Sequence, residues 1–121
     1  MRVRSPRRLL ALLLLGGCAA AHVSTPSESP AHDPEPVSVT VEALRKEQLE
    51  RLYRFDGDLG VMGDRCQALC SHHTSICGLA TRICGIAKAN ANVPRAADLC
   101  EVASATCKDT SARLPTDCFC Q

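Results

Sequence analysis

Eight cysteines fall between residues 66 and 120, and five of them keep strict intervals of seven: Cys70, Cys77 and Cys84 in one run, Cys100 and Cys107 in another. Two histidines, His72 and His73, lie inside the first run. Sulfur and imidazole at such spacing offer two chemistries. On a helix Cys70, His73 and Cys77 occupy i, i+3 and i+7 and share one face. With Cys107 from the second run they would make a tetrahedral zinc site, or a trigonal copper(I) site from part of the set. The other chemistry needs no cofactor: the cysteines bond to one another in pairs, as even cysteine numbers do in small exported domains. The rest of the chain favours these staples, with copper or zinc as the alternative.

Other chemistries find little support. Cys118, Phe119 and Cys120 form a C-x-C pair, which can serve disulfide exchange or metal transfer, but thioredoxin-like chemistry uses C-x-x-C beside a βαβ unit, and the sequence has neither. A G-x-S-x-G elbow, an H-E-x-x-H pair and a Gly-rich phosphate loop are also missing. The expectation is a protein without catalytic residues and without a small-molecule substrate, with thiol redox activity left open. Residues 56 to 64, DGDLGVMGD, imitate a calcium loop through Asp56 and Asp58. Gly60, Val61 and Gln67 stand where an acid, a glycine and a closing glutamate belong, so the stretch reads as a flexible turn. Helical proteins that store copper(I) line their cores with cysteines, and this chain is similar to them in that feature. They favour C-x3-C spacing, which here occurs only at Cys66 and Cys70.

The beginning of the chain bears on the redox compartment. MRVRSPRR supplies four arginines, LLALLLL follows from Leu9 to Leu15, and Gly16, Gly17 and Cys18 come next. A basic segment, a short apolar run and small residues form a secretory signal; the run is far below the roughly 20 residues that cross a bilayer. Leu15 to Cys18, LGGC, resembles the lipobox of bacterial lipoproteins. That resemblance implies a signal peptide over residues 1–17, cleavage before Cys18, and a diacylglyceryl thioether and an acylated amino group on the cysteine. Two or three acyl chains give stable anchorage where one gives only marginal binding. Because Ala19 and not an aspartate follows, the resemblance favours the outer membrane, with the lipid bilayer as first partner.

Without residues 1–17 and their four arginines, 104 residues remain and the formal charge of +1 becomes −3. Nucleic acid is not an expected partner, since there is no basic stripe and the aromatics are only Tyr53, Phe55 and Phe119. Residues 18–39 hold Pro26, Pro30, Pro34 and Pro36 among serines and acids and read as a disordered, lipid-anchored tether spanning about 25 Å. His22 and His32 read as solvated parts of it. Val37, Val39 and Val41 alternate as a strand would, but nothing is available to pair with them. Residues 40–121 then form one cysteine-rich domain, a size that usually needs covalent help beside its core.

Three helices must position the cysteines. The first is expected from a Thr40 N-cap to about Asp56, with Val41, Leu44, Leu49, Leu52 and Phe55 as a loose apolar stripe. The second runs from an Asp64 N-cap to about Ala89, before Asn90, Asn92 and Pro94; the third from Pro94 to Arg113. Cysteines seven apart drift only about 20° around a helix and rise about 10.5 Å. They form a column whose members are too far apart to bond to each other. In an antiparallel hairpin centred on Asn92, Cys84 and Cys100 each lie eight residues from the centre and Cys77 and Cys107 each fifteen. Both pairs therefore come into register together, predicting Cys84 with Cys100 and Cys77 with Cys107. For the tail the preferred pairing is Cys70 with Cys118 and Cys66 with Cys120. His73 is expected to be partly covered, and His72 to face water.

The signal with its lipobox, the tether, and ICGLATRICGIA followed by DLCEVASATC resemble a group of short bacterial lipoproteins with paired C-x6-C helices. Mitochondrial twin C-x9-C hairpins are similar in principle only. The expectation is an all-α, disulfide-stapled hairpin with one additional N-terminal helix, anchored in the bacterial envelope and serving as a structural module or as a binder of an envelope protein.

Overall fold

The computed structural model describes residues 34–61 and 63–121; the expected signal segment, Cys18 and the expected tether as far as residue 33 lie outside the described residues. Three helices follow in order, α1 (Pro34–Leu59), α2 (Cys66–Ala89) and α3 (Pro94–Arg113), with no strand among the described residues. The fold is all-α, and four disulfides join its cysteines.

The helices meet through three columns with the same interval of seven. Val41, Gln48 and Phe55 of α1, Leu69, Ile76 and Ile83 of α2, and Ala96, Ala103 and Thr110 of α3 are all buried. One cluster joins Val37, Val41 and Leu44 to Leu79, Ile83, Val93 and Leu99; a second, at the other end, joins Phe55 to Leu69 and Ile76. Ala96 and Ala103, both fully buried, let α3 approach closely, and this brings the cystine columns within bonding reach.

α1 differs from expectation at both ends and along its stripe. It begins at Pro34, so residues 34–39 belong to the helix and not to the tether. Pro34 and Pro36 are compatible with this, because the first helical turn has no partner for its N–H groups in any case. Val37 and Val41, four apart, are both buried, whereas Val39 is exposed; the valine alternation is helical. Thr40 does not cap: its hydroxyl donates to the Pro36 carbonyl at 2.8 Å within the helix. The buried stripe includes Gln48 and leaves Leu49 46% exposed. At the far end α1 continues through Asp56 and Asp58 to Leu59, so half of the expected flexible turn is helix. Between α1 and α2 the chain reverses, with Gly63 at φ +120°, a conformation that suits glycine.

α2 starts two residues after Asp64, whose Oδ1 accepts from the Cys66 N–H at 3.2 Å. Its other end coincides with expectation. Asn90 Nδ2 donates to the Ile86 carbonyl at 2.8 Å, the Val93 N–H donates to the Asn90 carbonyl at 2.9 Å, and Pro94 opens α3.

Candidate functional site

The cystines form a ladder in which two nested bonds join α2 to α3 and two interlaced bonds join the start of α2 to the tail. Cys84 is bonded to Cys100 and Cys77 to Cys107, with Cα atoms 4.6 and 4.8 Å apart. Cys66 is bonded to Cys118 and Cys70 to Cys120, at 5.1 and 5.2 Å. This tail pairing is the reverse of the expected Cys70 with Cys118 and Cys66 with Cys120. The reason is the turn after α3, where the Cys118 N–H bonds the Pro115 carbonyl at 3.0 Å and the chain doubles back. The tail therefore runs alongside α2 in the same direction. Four residues of helix rise about 6 Å and two extended residues about 6.6 Å, so Cys66 and Cys70 match Cys118 and Cys120 in parallel order. Phe119, between them, points away and is 86% exposed.

The ligand set considered for a metal is not assembled. Cys70 bonds the tail while Cys77 and Cys107 bond each other, and no group of three potential ligands forms among the described residues. His73 keeps its proximity: its Nδ1 and Nε2 lie 3.7 and 3.8 Å from Cys77 Sγ. Thr110 Oγ1 donates to the Cys107 carbonyl at 2.9 Å and stands 3.0 Å from His73 Nδ1. With the Thr110 proton used on that carbonyl, the network assigns Nδ1–H as the donor to the Thr110 oxygen. Ser111 Oγ lies 3.3 Å from Nε2. Beside the bond an open groove of about 370 Å³ is lined by Cys77, Ala80, Thr81, Cys84, Ser104, Cys107 and Lys108.

His72 departs from expectation. Its Nε2 is 3.2 Å from Asp58 Oδ2, its side chain is only 17% exposed, and its Nδ1 is buried without a partner. Asp56 is paired with Arg113, so the two aspartates of the supposed calcium loop tie α1 to α3 and to α2. Arg113 also pairs with Asp109 at 3.0 Å. Hydrogen bonds to Asp109 and Asp56 hold its guanidinium above the ordinary value, while burial holds Arg45 below it.

Gln48 is the position that sequence reasoning missed. Its Nε2 donates to the carbonyls of Ile76 at 2.9 Å and Ala103 at 3.0 Å, and its Oε1 accepts from Arg45, which also donates to Thr106 Oγ1 at 2.9 Å. The available signal was the interval of seven from Val41 and to Phe55.

No family model, curated protein or solved structure matches this chain.

Proposed function

We propose that the chain is a bacterial envelope lipoprotein, anchored through acylated Cys18 and acting as a structural or protein-binding module of the envelope. The observation that carries this reading is the use of all eight domain cysteines in four bonds, a state that persists in oxidising compartments and not in the cytosol. The order of basic residues, apolar run and LGGC at the start of the sequence supports export and lipidation. Ala19 favours the outer membrane, and the partner is an envelope protein.

Intact mass under non-reducing conditions tests it, on protein taken from the membrane fraction after thiol alkylation. The expected result is no alkylation, eight hydrogens fewer than the reduced chain, two for each of four bonds, and acyl mass on Cys18. Cys18→Ser should release the protein from membranes. Alkylated cysteines, stoichiometric copper or zinc, or a cleaved chain without acyl mass would overturn the reading.

A further inference from the structure

Among the described residues, Cys77 is the cystine sulfur in contact with an imidazole. By contrast Cys84 Sγ faces the Ser104 hydroxyl at 3.4 Å. Both Cys77 and Cys107 also reach the open groove between α2 and α3, where Lys108 supplies a positive charge that attracts thiolates.

We propose that Cys77–Cys107 is a thiol–disulfide exchange site for dithiols, the first of the four bonds to open, with His73 as the positioning residue that makes Cys77 the leaving sulfur. Exchange is faster when the departing sulfur is better stabilised as a thiolate, and an imidazolium beside it provides such stabilisation: with Nδ1–H on Thr110, a second proton at Nε2, 3.8 Å from Cys77 Sγ, serves the departing thiolate. Thr110 and Ser111 of α3 hold the ring at its two nitrogens, so it is in place before the bond opens. No carboxylate or cationic side chain pairs with that ring among the described residues.

In the first step one thiolate of the dithiol forms a bond to Cys107 Sγ. The Cys77–Cys107 bond breaks, and its electron pair goes to Cys77. The second thiolate of the dithiol then attacks its own sulfur in the mixed disulfide and releases Cys107. The two protons shed by the dithiol pass through solvent to the two cysteine thiolates. The dithiol leaves as a disulfide, oxidised by two electrons, and the protein has gained both. Cys84–Cys100 and the two tail bonds remain closed on either side, so the hairpin persists in the opened state.

The test uses the full oxidised chain with limiting dithiothreitol, quenched by alkylation at intervals and mapped by peptide mass. Cys77 and Cys107 should be labelled before the other six, with a rate advantage of about tenfold. Glutathione, a monothiol, should trap its adduct on Cys107. His73→Asn keeps a donor for Thr110 but removes the imidazole; it should slow opening about tenfold and divide the adduct between Cys77 and Cys107. A different bond opening first, an adduct on Cys77 in the unaltered chain, or a folded H73N with unchanged rate and adduct would overturn the proposal. If H73N does not form the four bonds, the order of opening and the adduct position in the unaltered chain decide it. Neither readout depends on Cys18, so failure here leaves the lipoprotein reading untouched.

Discussion

The side-chain amide of Gln48 on α1 donates to the main-chain carbonyl of Ile76 on α2 at 2.9 Å, from a residue with no exposure to solvent. The same nitrogen reaches Ala103 on α3, so one side chain measures the spacing of all three helices. Gln48→Ala should cost about 2–3 kcal/mol through the cavity and the lost bonds. Gln48→Leu, close in volume, should cost about 1 kcal/mol. Gln48→Glu should also destabilise at neutral pH, because a carboxylate keeps Arg45 on one oxygen but loses both donors and turns its other oxygen on the carbonyls of Ile76 and Ala103. Urea denaturation of each variant at neutral pH checks the set.

Tail connectivity can be read directly from peptides. Digestion without reduction should yield Cys66 linked to Cys118 and Cys70 linked to Cys120. Replacing either pair by serine should cost less than replacing both, because each bond already restrains the chain that the other closes. Removal of both should lower stability by about 3 kcal/mol or more and release Pro115 to Gln121. The crossed peptides, Cys66 with Cys120 and Cys70 with Cys118, would refute the parallel tail.

The first turns of α1 belong to the folded unit. A chain beginning at Thr40 should lose about 2 kcal/mol, since Val37 is buried against the upper cluster and full burial of a valine contributes about that much. The tail bonds and the lower cluster should be unaffected. Chemical denaturation of the shortened and unshortened chains, with their disulfides intact, measures the difference.

Arg113 lies 5.5 Å from the centre of the Phe55 ring while pairing with Asp56 and Asp109. The pairs are well exposed, so their worth is screened. Arg113→Ala should cost below about 1 kcal/mol, and less at high salt. Arg113→Lys should recover only part of it, because the flat guanidinium serves two carboxylates and a ring at once. Thermal unfolding at low and high salt compares the three proteins.

The hairpin was legible in the sequence because its signals agree: cysteines every seven residues, Asn90 and Pro94 at the reversal, and equal distances from Asn92. The start of α1 was not, since prolines and acids also compose tethers and only packing reveals that Val37 and Val41 share a face. Gln48 stayed hidden because a polar residue in a buried column has meaning only once the carbonyls it reaches are placed. The angle of His72 on α2 places it in water, but Asp58 reaches it from a longer α1 than the sequence predicts. The tail order is not legible because helix register ends at Arg113, and the direction of the following turn lies beyond it.

The placement of the cystines divides the molecule unequally. A protease cutting any one peptide bond between Cys66 and Cys120 leaves both fragments tied by at least one disulfide. α1 contains no cysteine and is held to the hairpin by packing, hydrogen bonds and ion pairs alone. A single cut among residues 60–65 would therefore separate the chain into two covalently independent pieces, and on the lipoprotein reading the stapled piece would be shed from the membrane while the anchored piece stayed behind.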